Sequence, residues 1–263
     1  MIACSAERWQ KTTFEFESYM AATELVDAVF NERRAAYDPG LKADDAFELF
    51  CADVILTTHD PSIEDISDRI LDGSQDGGVD SIFIYVNRVL VAEDTELGNF
   101  KFPVEVELVA IQSKNESNFK EGPVDKIALP ELIRNSPVAG TPFKPELIES
   151  FQLWHKVKNT LAPQFPNYKV SLWYACKGEV VPPAAKLKAG ALETTIKGIM
   201  PTAEVQFTFA GAHELYQLAG RQKLVTAILP VTGTPLFGPH SSFVVLTSLT
   251  AYSGFIADES KTL

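Results

Sequence analysis

Residues 104–114, VEVELVAIQSK, constrain the fold more than any other stretch of the chain. Val104 to Leu108 alternate between apolar and acidic, as in a strand with one covered face, but Leu108 to Ile111 run apolar without a break. That change is expected where a strand enters a sheet covered on both faces, the arrangement found in α/β architectures. The run then stops at Gln112-Ser113-Lys114. Strand alternation puts Gln112 and Lys114 on the face of Val106, Leu108 and Ala110, with Ser113 on the other. Glu105 and Glu107 fall on the face away from Gln112 and Lys114, where they read as solvated.

The neighbouring segments supply the helices such a sheet needs. Residues 14–37 carry apolar positions at steps of three and four and read as a helix ending near Asp38-Pro39-Gly40. AFELFCADVIL (46–56) is apolar around most of its circumference, so it reads as a buried helix capped by Asp44 or Asp45. Ser62 and Asp65 stand at capping-box spacing before a third helix with Ile63, Ile66 and Ile70 on one stripe. SIFIYVN (81–87) is a strand, with RVLVA (88–92) a further candidate; 144–162 is an amphipathic helix and 168–177 a strand. A helix over 181–199, a strand over 203–211 and a helix from Ala212 complete the order. The expected fold is an α/β sandwich with a central mixed sheet flanked by helices over residues 1–222, core 41–211. A strand-rich extension over 223–263 carries LVTAIL and SSFVVLTSL with turn residues between them.

Several function classes lack their motifs. There is no GxSxG, GxxxxGK[ST] or GxGxxG, which leaves out nucleophile-elbow hydrolases and the common nucleotide loops. Cys4, Cys51 and Cys176 lie far apart, without the spacing of a zinc finger or a disulfide scaffold, and read as free thiols, Cys51 and Cys176 within apolar runs. The four histidines form no ligand pair; His155 reads as half-buried and structural. Arg33-Arg34 reads as a helix end complementing the dipole. The start, MIACSAERWQ, lacks a basic region followed by an apolar one, and prolines and glycines break the uncharged stretch after Leu224. No signal peptide and no membrane span are expected, and the cytoplasm is the expected location. The net charge of −12 opposes nucleic acid through the average field, so an enzyme acting on it needs a local basic lining or a basic partner segment.

Residues 76–84, DGGVDSIFI, bring an acid to the start of the strand preceding 104–114. If these two strands pair antiparallel, Asp80 stands beside Gln112 and Lys114. An acid, an amide oxygen and an ammonium suit magnesium, which takes hard oxygen ligands and keeps several waters. Asp80 would supply charge, the Gln112 side-chain oxygen and Ser113 carbonyl neutral ligands, and Lys114 would orient water or stabilise charge on a phosphate. That set matches metal-assisted phosphodiester hydrolysis. Glu48 either joins it, directly or through a metal-bound water, or belongs to a solvated stripe with Asp44 and Asp45. Asp76 reads as a turn acid before two glycines, and those glycines would let a phosphate backbone approach Asp80. The loop 114–126, with Lys120, Lys126 and Phe119, reads as a mobile polar loop or a phosphate contact.

DGGVDSIFIYVN followed by VELVAIQSK resembles the PD-(D/E)XK nuclease superfamily in its Mrr-like QxK form. More narrowly, with AFELFCADVIL, IEDISDRILDG and the closing SSFVVLTSLTAYSGFIADESKTL, the chain resembles the N-terminal nuclease-like region of abortive-infection phage-resistance (AIPR) proteins. The resemblance covers most of residues 40–263, while its specific content is two short motifs. It implies a restriction-endonuclease-like fold, catalytic Asp80, Gln112, Lys114 and Glu48, and Mg²⁺ or Mn²⁺ as cofactor. It also implies double-stranded DNA as substrate, a role in anti-phage defence, and a larger C-terminal region following the closing segment. Glutamine at 112 leaves Asp80 as the one certain carboxylate ligand. Two other readings stay open: a catalytically silent nuclease fold that binds or senses nucleic acid, and a protein-interaction domain favoured by the acidic surface. Whether copies associate into a homo-oligomer is open as well.

Overall fold

The computed structural model describes residues 22–38, 40–71, 73–138, 140–221, 231–237 and 243–256. Contacts divide the chain into two units, Met1–Lys223 and Leu224–Leu263. In the first, residues 22–34 form helix α1, followed by α2 (Ala43–Ile55) and α3 (Ile63–Ser67). Strands β1 (Ser81–Val86), β2 (Val89–Leu90) and β3 (Glu105–Lys114) come next, then α4 (Glu121–Asp125), α5 (Leu129–Arg134) and α6 (Pro145–Leu161). Strand β4 (Asn167–Cys176), α7 (Pro183–Ile199), β5 (Glu204–Ala210) and α8 (Ala212–Ala219) complete the unit.

The five strands form one mixed sheet in the order β2-β1-β3-β4-β5. The hairpin β1-β2 and the pair β1-β3 are antiparallel, while β3-β4 and β4-β5 are parallel, reached through α6 and α7. Asn87 and Arg88 both take positive φ (49° and 68°), the turn geometry whose twist matches a tight hairpin. Central β3 is buried from Val106 to Ser113, in keeping with its apolar run. Val106, Leu108 and Ala110 pack with Leu147, Phe151 and Trp154 of α6 on one face. Val109 and Ile111 pack with Phe47, Phe50 and Leu215 of α2 and α8 on the other. Burial of these side chains, each contributing roughly 1.5–3 kcal/mol, is the main force closing the layers.

Helix α2 is buried along most of its length, as its composition indicates, but its N-cap is Lys42, with Asp44 and Asp45 in the first turn. There they complement the helix dipole instead of capping. The Ser62–Asp65 capping box of α3 is present. Arg33 and Arg34 stand in the last turn of α1, as expected, and Arg33 also pairs with buried Asp53 of α2 and donates to the Ala219 carbonyl of α8 at 2.9 Å. The guanidinium ties three helices together because an unpaired carboxylate at Asp53 would be costly to bury. Residues 14–21 of the expected first helix lie outside the described residues.

The segment after β3 is held by packing, contrary to the expected mobile loop. Phe119 is buried, edge-on to Tyr174 and Phe209 at 5.0 and 5.5 Å, and α4 and α5 follow it. Cys51 and Cys176 are free and buried, and His155 is half-buried against the Leu132 carbonyl (3.0 Å). In the second unit, β6 (Val231–Phe237) pairs antiparallel with β7 (Phe243–Thr247), and α9 (Leu249–Ile256) follows. The expected LVTAIL strand lies outside the described residues. Strand β6 runs through Gly233 and Pro235, which read as turn residues in the sequence; a register irregularity between Thr232 and Leu236 accommodates them. Among the described residues no helix is long and apolar enough to cross a membrane.

Candidate active site

The site forms where β1 begins and β3 ends. Ser81 pairs with Ile111, so antiparallel pairing carries Asp80 to the level of Gln112. The Asp80 backbone is fixed on both sides: its N–H donates to the Ile111 carbonyl at 2.7 Å and its carbonyl accepts from Leu71 N–H at 2.7 Å. The carboxylate is therefore delivered by paired backbone, not by a free loop.

The turn before it is equally fixed. Gly77 and Gly78 both have positive φ (64° and 76°), and Asp76 Oδ1 accepts from Gly78 N–H at 2.7 Å. This makes Asp76 the turn acid that the sequence suggests. The glycines, however, do not open a path to Asp80. A Cβ at Gly78 would stand 2.7 Å from Ile127 N and closer still to the Lys126 carbonyl, and one at Gly77 would stand 3.0 Å from Leu147. Their missing side chains admit neighbouring protein, and the Gly77 carbonyl accepts from Ala128 N–H at 2.8 Å.

Asp80 Oδ2 accepts three hydrogen bonds, from Gln112 Nε2 (2.7 Å), Ser113 N–H (2.6 Å) and Ser113 Oγ (3.0 Å). Oδ1 faces Lys114 Nζ at 3.8 Å. Asp80 is 4% exposed and Gln112 likewise 4%, whereas the Lys114 side chain is 38% exposed and reaches solvent. Burial pushes the Asp80 carboxyl pKa up, the Lys114 charge and the two Ser113 hydrogen bonds pull it back, and Asp76 adds to the rise; the net direction is upward. Gln112 Nε2 also donates to the Ser113 carbonyl at 3.1 Å. The amide therefore presents nitrogen, not oxygen, to Asp80, and the Ser113 carbonyl is engaged by it.

Glu48 is half-buried on α2. The N-terminus of α2 reaches the end of β3, where Asn115 Nδ2 donates to Asp44 Oδ1 at 3.2 Å, and Glu48 stands one turn further along. With Leu41, Asp45, Leu49, Ser67 and Ile70 it lines a cavity of about 180 Å³, and Ile70 bridges to Ser81. Burial raises the Cys51 thiol pKa well above its ordinary value, with the charges of Asp80 and Glu48 adding to the rise. Glu48 thus flanks the site from α2, while Asp80, Gln112, Ser113 and Lys114 are in direct contact with one another.

Oxygen donors of this kind fit magnesium or manganese. Among the described residues no three His, Cys, Asp or Glu side chains stand together as a metal site. An ion here would depend on Asp80, the Ser113 carbonyl, a rotated Gln112 amide, waters and substrate phosphate, with Glu48 reaching it through water.

Glu107 reads differently in the structure than in the sequence. It is buried (6% exposed), accepting from Ser171 Oγ at 2.7 Å and lying 3.0 Å from His59 Nε2 and 3.1 Å from Lys169 Nζ. Burial alone would raise its pKa, but His59, Ser171 and Lys169 together hold it at about 2. With Thr58, Gln206 and Arg221 it borders a cleft of about 110 Å³ near the other end of β3. Alternation gives the face correctly, but it does not reveal that helix ends and β4 cover that face. Glu105 is exposed as expected.

The chain matches no protein-family model, no curated protein and no solved structure.

Proposed function

We propose that this protein is a Mg²⁺-dependent nuclease of restriction-endonuclease-like fold that cleaves double-stranded DNA in the bacterial cytoplasm during anti-phage defence. The observation that carries the reading is the convergence of Asp80, Gln112, Ser113 and Lys114, from two sequence-distant motifs, at one corner of a mixed sheet. Asp80 would hold the ion together with the Ser113 carbonyl and the Gln112 amide, and Glu48 would support it from α2. Bound Mg²⁺ supplies Lewis acidity at the phosphate and a water of lowered pKa. Lys114, anchored near Asp80 Oδ1 and reaching outward, meets the scissile phosphate and stabilises the charge that develops on it. Ser113 holds Asp80 in place from both its N–H and its hydroxyl. With a net charge of −12, the protein would meet DNA through a local basic lining or a basic partner segment.

The buried, fully hydrogen-bonded state of Asp80 Oδ2 favours a second reading, a silent nuclease fold that binds nucleic acid without cutting it. Incubation of duplex DNA and RNA with the protein, with Mg²⁺ and with EDTA, separates the two. Cleavage requiring Mg²⁺ and abolished by both Asp80→Ala and Lys114→Ala supports the enzyme; cleavage surviving both substitutions means that the site is elsewhere. Binding without cleavage in any metal favours the silent fold.

A further inference from the structure

Gln112 Nε2 lies 2.7 Å from Asp80 Oδ2 and 3.1 Å from the Ser113 carbonyl oxygen. The nuclease reading assigns the Asp80 carboxylate and the Ser113 carbonyl to the cation, and the inference here rests on that reading. An amide NH₂ carries partial positive charge and two donors, so it can satisfy two converging acceptors in a buried site. Without such a donor, Asp80 Oδ2 would keep only its two hydrogen bonds from Ser113 and the Ser113 carbonyl would lose the one from Gln112, in surroundings where Asp80 and Gln112 are each 4% exposed.

We infer that the Gln112 amide is an internal stand-in for the metal ion, a latch that keeps the metal-free site closed and must turn away before an ion can bind. The amide serves two states. With nitrogen inward it joins Asp80 to the Ser113 carbonyl; turned about its terminal bond, it offers oxygen to the cation. Ser113 N–H and Oγ continue to hold Asp80 Oδ2 through the change, so the carboxylate does not have to be rebuilt. A glutamate at this position could not latch the site, because two carboxylates would repel each other in the absence of a cation. The role of Gln112 is therefore to make metal binding conditional: apparent affinity is reduced by the fraction of molecules in which the latch is open. Substrate phosphate, bringing its own charge to the ion, would tip the balance, so the ion is held tightly only when DNA is present.

The test is Mn²⁺ binding, followed by calorimetry and by the electron paramagnetic resonance signal of free Mn²⁺, for wild type, Gln112→Ala and Gln112→Glu. Melting of the metal-free proteins is measured alongside. The latch predicts that Gln112→Ala binds Mn²⁺ no more weakly than wild type, because the competitor is lost together with the ligand. Gln112→Glu binds on the order of a hundredfold more tightly, since ligand charge sets affinity, and melts below wild type until Mn²⁺ is added. In wild type, the Gln112 side-chain NH₂ resonances, assigned by their disappearance in Gln112→Glu, exchange slowly with solvent and shift when Mg²⁺ is added. Loss of Mn²⁺ binding in Gln112→Ala, with NH₂ resonances unmoved by Mg²⁺, would overturn the latch while leaving the nuclease reading intact. Failure of every variant, Gln112→Glu included, to bind Mn²⁺ would overturn the nuclease reading and the latch with it.

Discussion

Replacing Glu107 by Gln removes a buried charge and keeps its shape, and the structure gives both the sign and the size of the effect. The folded carboxyl has a pKa of about 2, below its ordinary value of 4.5. A depressed folded pKa contributes stability that is fully present above the unfolded value and is lost as pH falls toward the folded one. The interval of roughly 2.5 pH units corresponds to about 3 kcal/mol at 1.36 kcal/mol per unit. Lys169, one of the three partners, has a side chain 36% exposed, so solvent screens its share and about 2 kcal/mol is the expected loss. Against a total stability of roughly 5–15 kcal/mol that is large. With urea, where small domains have slopes of roughly 1–3 kcal/mol per molar, the midpoint of Glu107→Gln at pH 7 should fall by about 1 M. Repeating the titration from pH 7 to pH 2.5 should bring the wild-type and variant midpoints together between pH 4.5 and about 2. Equal midpoints at pH 7, or a gap that does not narrow on acidification, would refute the assignment of Glu107 as an ionised, three-partner carboxylate. DNA cleavage by Glu107→Gln, tested well below its melting temperature, should be unchanged, because six residues of strand, roughly 20 Å, separate it from Ser113.

Three further outcomes follow from the packing. Phe119→Ala removes a buried ring held edge-on by Tyr174 and Phe209 and should lower stability by about 3–4 kcal/mol in chemical denaturation; a loss below 1 kcal/mol would return residues 115–125 to the status of a loose loop. Gly78→Ala places a methyl against the Lys126–Ile127 backbone at positive φ, so melting should fall by several degrees and cleavage with it, since the 76–79 turn leads directly into Asp80. Burial raises the thiol pKa of both Cys51 and Cys176, the latter to about 11. Neither should react with a disulfide reagent at pH 8 until denaturant is added, as read by peptide mapping.

The sequence made the sheet legible because its strands are apolar runs of a length that few other structures accommodate. Strands β1, β3, β4 and β5 and helices α6, α7 and α8 lie within a residue or two of their expected positions. The meeting of Asp80 with Gln112 and Lys114 followed from a single assumption, antiparallel pairing of β1 and β3, and the register bears that pairing out. Side-chain chemistry within the site was less legible. Alternation assigns Ser113 to the far face and gives no sign that its hydroxyl turns back to Asp80, nor which end of the Gln112 amide faces inward. Those choices depend on which acceptors are left unpaired in three dimensions. Glu107 was misread for a related reason, since its cover comes from His59 in the turn after α2 and Ser171 on β4, neither near it in sequence. The short helices α4 and α5 were missed because each spans under two turns and Gly122, Pro123 and Pro130 interrupt any periodic signal, although Phe119, Val124, Leu129, Leu132 and Ile133 are buried.

The central claim is that Asp80 holds the ion that cleaves DNA, and single-turnover kinetics test it most directly. A labelled duplex at saturating protein, with Mg²⁺ added to start the reaction, should be cut by wild type and cut roughly a hundred- to a thousandfold more slowly by Asp80→Ala, a magnitude typical of losing a principal electrostatic element. Duplex binding, measured by fluorescence anisotropy in the same samples without metal, should be unchanged. An Asp80→Ala rate within a few-fold of wild type would contradict the account.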